Sequence, residues 1–328
     1  MRIGGNPQKD ESFINLETNH RIIVVTFVPE LVGYYQDMFE VIKVSINSLI
    51  KTIPSSSAIT IVDNGSCPCV ANYLINLFNG GLIDSLVLLK KNIGKIDALM
   101  AGARGSREPI ITLTDCDILF KTNWVQETIK VFNSFKNVGS VSPIPTRTAV
   151  TYSTFSAQQA VLLNKLNLKF ESIIENFEDY NVFLESINWE KEQDKTKPWP
   201  VIKKNNIKAI LGSDHQVLTL RRDILFNTVP SKPSFTKVGK NSEFKYVDLA
   251  IDLSRGLRLS TYHFYAFHIG NKLEDWMCKE YDSLMKSSES IELKLSPKLK
   301  YKEINTYWYR FKKKVLKKVF KIKIPSNY

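Results

Sequence analysis

The sequence predicts an α/β fold: a mostly parallel sheet flanked by helices, followed by a basic amphipathic C-terminal helix. Three observations predict it. Short runs rich in β-branched residues alternate with segments of helical spacing, the pattern of successive βα units. Those runs are almost continuously apolar, as strands covered on both faces must be. The third is charge: 45 Lys+Arg against 33 Asp+Glu give +12 over 328 residues, yet positions 294–328 alone hold 12 bases and one acid, Glu303. The preceding 293 residues, with 33 bases and 32 acids, are nearly neutral.

The first strand is Ile22-Ile23-Val24-Val25-Thr26-Phe27-Val28. Residues 35–51 follow as a helix, with Met38, Val41, Ile42, Ser45, Ile46 and Leu49 on one face and Pro54 as its stop. Ala58-Ile59-Thr60-Ile61-Val62 is the second strand, closed by the turn formers Asp63-Asn64-Gly65-Ser66. A helix over 70–78 ends at Gly80-Gly81, a third strand covers 85–89, and a helix covers 96–103. Pro109-Ile110-Ile111-Thr112-Leu113-Thr114 is the fourth strand. Beyond it the pattern loosens: a strand and turn at 139–145, a helix at 158–168 and an acidic, then Pro- and Trp-containing insertion at 176–200. Short strands at 207–211 and 216–220 surround Gly212-Ser213-Asp214-His215, a helix spans 246–255, and an aromatic strand spans 260–267. The organisation expected is a polar leader over 1–19, one domain over 20–290 with halves at 20–125 and 126–290, and a basic segment over 291–328.

Composition excludes several classes. With 43% hydrophobic and 24% charged residues the chain is neither disordered nor fibrous. No run approaches the roughly 18 to 20 apolar residues of a membrane-crossing helix, and the polar start lacks a signal-peptide core. The expectation is a cytoplasmic protein that does not span the membrane. Its four cysteines are too few for a disulfide framework, and Cys67 and Cys69 lack a second pair at zinc-like spacing. They read as reduced thiols.

In open parallel sheets ligands bind beyond the carboxyl ends of the strands, and two strands here end in acids. Asp63 follows the second, and Asp115-Cys116-Asp117, a D-x-D triplet, follows the fourth. A carboxylate there can accept hydrogen bonds from a base or ribose. Two at i and i+2 can converge on a hard divalent cation that also holds phosphate oxygens.

The order Thr26-Phe27, Ile61-Val62-Asp63-Asn64-Gly65-Ser66, Asn92-Ile93-Gly94-Lys95 with Ala98, and Asp115-Cys116-Asp117 resembles the nucleotide-sugar half of family 2 glycosyltransferases with the GT-A fold. The likeness covers residues 20–125, and 210–270 more loosely. It implies that Asp63 contacts the nucleotide base, Asp115 the ribose or the metal, and Asp117 a divalent Mn²⁺ or Mg²⁺ on the diphosphate. Thr26, Asn92 and Lys95 would line the donor site. Leu211-Gly212-Ser213 and Arg221-Arg222 resemble the family's glycine-rich segment and Arg-containing strand. Phe267-His268-Ile269-Gly270-Asn271 is similar to its late His-x-Gly segment, which implies His268 as a further metal ligand. The family's acidic E-D-x-D-L motif corresponds to Lys245-Tyr246-Val247-Asp248-Leu249, so its first two acids are missing. Asp248 is the first candidate for the catalytic base and Asp214, beside His215, the second.

From Ile304, apolar Trp308, Phe311, Val315, Val319 and Ile322 recur every three or four positions, with Tyr307, Leu316 and Phe320 alongside and lysines filling the remaining arc until Pro325. Such a helix over 304–323 suits an anionic membrane surface. Packing of its apolar face on the domain is the alternative. The function expected is metal-dependent transfer of a sugar from a nucleotide-sugar donor, UDP-linked by preference, to a glycan or lipid-linked acceptor, with inversion, at the inner face of the membrane. A nucleotidyltransferase would carry a glycine-rich basic loop after its first strand, where Thr26-Phe27-Val28-Pro29-Glu30 stands. A nucleic-acid partner would need charge spread over a folded surface, so none is expected. A catalytically inactive binding protein is the remaining alternative, given the acids missing at 245 and 246.

Overall fold

The computed structural model describes residues 4–9, 13–287, 290–299 and 306–328. Parts of the expected leader (1–3 and 10–12) and of the tail (300–305) lie outside the described residues. Among the described residues twelve strands are formed: β1 His20–Thr26, β2 Ser57–Asp63, β3 Ser85–Leu88, β4 Ile110–Thr114, β5 Ile118–Phe120, β6 Val138–Ser142, β7 Leu168–Ser172, β8 Pro198–Lys204, β9 Ile207–Leu211, β10 Val217–Arg221, β11 Leu257–Thr261 and β12 Ala266–His268. The helices are α1 Met38–Thr52, α2 Pro68–Asn79, α3 Lys95–Arg104, α4 Trp124–Ser134, α5 Phe155–Leu162, α6 Phe177–Ser186, α7 Arg222–Asn227, α8 Leu249–Leu253, α9 Asp275–Ser283 and α10 Thr306–Phe320.

Ten strands join one sheet in the order β3-β2-β1-β4-β10-β6-β11-β9-β8-β7, and β12 pairs with β5 in a separate ribbon. Pairing is parallel from β3 through β2 and β1 to β4, as the βα alternation requires. Beyond β4 the sheet is mixed: β10 enters antiparallel between β4 and β6, β6 and β11 run parallel, and β9, β8 and β7 extend the sheet antiparallel.

Because side chains alternate across a strand, β1 feeds two cores. Ile22 and Val24 pack on the side that holds Val41, Ile42 and Ile46 of α1. Ile23 and Val25 pack with Leu99 and Met100 of α3 on the other. That double burial is why the parallel strands read as continuous apolar runs. Fully burying each such side chain contributes about 1.5 to 3 kcal/mol.

The second half departs from expectation in three places. The insertion at 176–200 contains α6, whose Tyr180, Phe183 and Leu184 are buried, and it ends in β8. The helix expected to reach 168 stops at Leu162, and 168–172 is the edge strand β7. The aromatic strand is broken after Thr261, so that β12 leaves the main sheet for β5. Strand pairing decided the last two cases, β7 with β8 and β12 with β5.

Candidate functional site

The carboxyl ends of β1 to β4 lie along one edge, with Thr26 level with Asp63 and Asp63 level with Leu88. Thr26 Oγ1 donates to Asp63 Oδ1 at 2.9 Å, and the Ser66 amide points at both carboxylate oxygens from 3.3 Å. Asp63 is therefore buried and aimed by its own turn. Asn64 ties that turn to the next loop, its Oδ1 accepting from the Ile93 amide at 2.9 Å and its Nδ2 donating to Asn92 Oδ1 at 3.1 Å. Asn92 Oδ1 also accepts from the Gly94 amide at 2.8 Å, so its carbonyl shapes the loop. Gly94 has φ +104°, and a Cβ there would fall 2.2 Å from the Thr236 carbonyl oxygen. Only glycine fits that approach. Lys95 begins α3 with its amide donating to Lys237 O at 2.8 Å, and Asp97 receives the Ser234 amide at 2.7 Å, which fastens the 234–237 segment beside the site.

Lys95 Nζ grips both oxygens of Asp115, at 2.6 and 2.8 Å. Burial works against the ammonium, but the adjacent carboxylate overrides it and holds the Lys95 pKa above its usual value. Asp117 is different. Its Oδ2 lies 3.3 Å from His268 Nε2, while its Oδ1 is buried without a hydrogen-bond partner. The β5–β12 ribbon makes this meeting, pairing His268 with Ile118 while the Ile269 amide donates to Asp117 O at 2.9 Å. A carboxylate oxygen left unpaired in a buried place, next to an imidazole, is a donor set that suits a divalent cation. Among the described residues no group of three or more His, Cys, Asp or Glu could hold a metal. The residues present thus fit a cation that would take its other ligands from a diphosphate, with Asp117 and His268 as protein donors and Asp115 committed to Lys95.

The two candidate bases flank a histidine. Asp214 Oδ1 and Asp248 Oδ2 each lie 3.5 Å from His215 Nδ1. Asp248 is fully enclosed, paired through Oδ1 with Arg258 Nη2 at 2.8 Å and receiving the Tyr152 hydroxyl on Oδ2 at 3.1 Å. Burial favours the neutral acid, but Arg258, His215 and Tyr152 together hold Asp248 below the usual carboxylate range. Breaking such an enclosed pair costs about 3 to 5 kcal/mol, so Asp248 is also part of the frame. Tyr246, where the family motif carries an acid, is buried and donates to Lys232 O at 2.7 Å. Sequence reasoning passed over His215, Tyr152, Arg258 and Glu243. Glu243 lies close enough for its charge to act on Lys95, and it precedes a π turn over Phe244–Asp248. Such turns often mark functional sites; the only local hint in the sequence was the His next to Asp214.

With this geometry in place, the comparison with family models decides the affiliation: the model of glycosyl transferase family 2 matches residues 31–199. The chain belongs to glycosyl transferase family 2. That match includes the Asp63 turn, the Asn92–Lys95 loop and the D-x-D triplet, whereas the His215, Asp248 and His268 region lies beyond it. Among solved structures, the fold is similar to a mannosyltransferase of Pyrobaculum calidifontis in complex with GDP-Man and Mn²⁺, at 14% identity and TM-score 0.44 over 74% of this chain and 54% of that one. It is similar to residues 1–349 of TarS from S. aureus, at 11% identity and TM-score 0.44 over 76% of this chain and 60% of that one. GalNAc-T7 with UDP, GalNAc and Mn²⁺ matches at 14% identity and TM-score 0.42, covering 74% of this chain and 41% of that one. The family 2 chain thus spans about half the length of these structures. No curated protein matches it.

Proposed function

We propose that the chain is a metal-dependent glycosyltransferase that moves a sugar from a nucleotide-sugar donor, UDP-linked by preference, to a hydroxyl of a glycan or lipid-linked acceptor in surface polysaccharide or lipopolysaccharide synthesis. The observation that carries this reading is the unpaired Asp117 Oδ1 beside His268, at the edge where Asp63, Asn92 and Lys95 also gather. Asp63, fixed by Thr26 and Ser66, accepts hydrogen bonds from the nucleobase, and Asp115 with Lys95 borders the ribose and phosphates. Mn²⁺ or Mg²⁺ held by Asp117 and His268 would offset the charge of the departing diphosphate. A protein base then removes the proton of the acceptor hydroxyl. Asp214, Asp248 and the His215 between them are the groups from which that base is drawn, and a single displacement of this kind inverts the anomeric centre.

The exposed face of α10 supports work at an anionic membrane surface, on its cytoplasmic side, where a lipid-linked acceptor is presented. Among the described residues no helix is long and apolar enough to cross a membrane. The test of the chemistry is Asp117→Ala in a donor-consumption assay over UDP-, GDP-, CMP- and TDP-sugars with and without Mn²⁺. Metal-dependent turnover is expected to fall at least a hundredfold while the circular dichroism spectrum stays unchanged; a fully active variant refutes the metal assignment.

A further inference from the structure

The proton acceptor has a better candidate than either carboxylate. The register of β10 on β4 sets Val217 opposite Thr114, and the Asp115 amide donates to Gln216 O at 3.1 Å. His215, the next residue out, is thereby held against the D-x-D turn, close enough to Lys95 to feel its charge. Its Nδ1 is buried, with Asp248 Oδ2 and Asp214 Oδ1 both at 3.5 Å. The side chain is nevertheless 31% exposed, and since Nδ1 is buried that exposure belongs to its other atoms; Nε2 is not among the buried unpartnered atoms. Asp248 is anchored behind it by Arg258, whose Nη2 and Nε reach Ser213 O and Oγ at 2.8 and 3.2 Å. Nδ1 makes no hydrogen bond at these distances, but a nearby enclosed carboxylate favours the proton on that nitrogen and leaves the other to take one. Asp248 itself, 0% exposed and already paired with Arg258, is poorly placed to meet an acceptor.

We propose that His215 is the general base of the transfer reaction, with Asp248 as its positioning residue. This rests on the glycosyltransferase reading of the same site. The acceptor O–H bond breaks and its proton goes to His215 Nε2, as the oxygen forms its bond to the anomeric carbon. The bond from that carbon to the diphosphate oxygen breaks, and its electron pair leaves with the nucleoside diphosphate. The arrangement compensates for Lys245 and Tyr246, which stand where the family motif places acids. Around the imidazole the charged and titratable groups are Asp214 on its own segment, Asp248 and, behind it, Arg258 and Tyr152, and Lys95 across the cleft. Burial lowers the His215 pKa, but Asp248 and Asp214 outweigh it, and the net shift is upward from 6.5.

The experiment measures nucleoside diphosphate release by the full chain from UDP-glucose, UDP-galactose, UDP-N-acetylglucosamine and GDP-mannose with Mn²⁺ from pH 5 to 9, with water as the acceptor probe. Binding of UDP with Mn²⁺ is measured in parallel. His215→Gln is expected to lower kcat at least a hundredfold, to remove the acid limb of the pH profile and to leave UDP binding within twofold. Asp248→Asn should move that limb to lower pH; should this variant fail to fold, Asp214→Asn, which spares the Arg258 pair, is expected to move it in the same direction. A His215→Gln enzyme that keeps a third of its turnover overturns the assignment, as does a limb abolished by Glu243→Gln and unmoved in His215→Gln. A wild-type chain that neither binds UDP with Mn²⁺ nor consumes any donor overturns the glycosyltransferase reading itself, and the base with it.

Discussion

His20 is held at the start of β1 between Ser57 Oγ, 3.1 Å from Nδ1, and Thr112 Oγ1, 2.7 Å from Nε2, with its ring edge-on to Trp124. Full burial brings its pKa down from 6.5 to about 3. Because the folded value lies below the unfolded one, His20 is neutral in both states above pH 6.5, and stability is lost as pH falls from there toward 3. The slope is about 1.4 kcal/mol per pH unit for one group, so roughly 2 kcal/mol disappears between pH 6.5 and 5 through this residue. Urea unfolding of wild type and His20→Gln at both values checks it: the wild-type midpoint should drop more steeply, and parallel behaviour refutes the effect. At this scale the sequence marked Asp63, Asp115 and Asp117 as acids at strand ends, Asp214 as an acid between two short strands and Asp248 as an acid in a helix. Which of them is free was not legible. Lys95 engages Asp115 and Arg258 engages Asp248 across separations that no local pattern encodes.

Among the elements, α10 shows how one periodicity can hide two faces. Tyr309 and Phe320 are buried and Lys313 and Leu316 half-buried along the line that packs on α5, with the Tyr309 hydroxyl donating to Asp252 and its ring edge-on to Phe155 at 5.6 Å. Trp308, Phe311, Val315 and Val319 form a second line, continued by Ile322 just past the helix, and all five are exposed. Interfacial binding and packing on the domain were alternatives in the sequence; the helix has an apolar face for each. The outer line runs between lysines, with Lys312 and Lys323 on one side and Lys314 and Lys318 on the other. Each lysine near an anionic leaflet adds about 1 kcal/mol of attraction. Sedimentation with vesicles of 70% phosphatidylcholine and 30% phosphatidylglycerol should carry down the wild type, and pure phosphatidylcholine should not. Replacing Trp308, Phe311 and Val315 together by Ser is expected to weaken binding at least tenfold with little change in melting temperature, since these side chains are already exposed. Equal sedimentation of both proteins refutes the membrane face.

Across the whole molecule the donor edge is assembled from β1 to β4, the loop before α3, and two late segments brought in by β10 and β12. A ligand that spans these parts must stabilise the entire fold. A nucleoside diphosphate at a hundred times its Kd adds about 2.7 kcal/mol, and with Mn²⁺ a thermal-shift panel should show one nucleotide raising the melting temperature clearly above the others. No shift with any UDP, GDP, CMP or TDP compound would count against a nucleotide site. The alternation of strands and helices through residue 114, the double-sided burial of the parallel strands and the acids at their ends were determined by the sequence alone. They rest on local periodicity and turn chemistry, which a short window of residues expresses. Tertiary structure alone decided that β10 inserts antiparallel beside β4 to bring His215 to the D-x-D turn, and that β12 leaves the sheet to set His268 against Asp117. Such pairings depend on hydrogen bonds between segments roughly 100 to 150 residues apart, and any apolar strand can satisfy them in isolation. The competition among all the strands for the available sheet edges settles them.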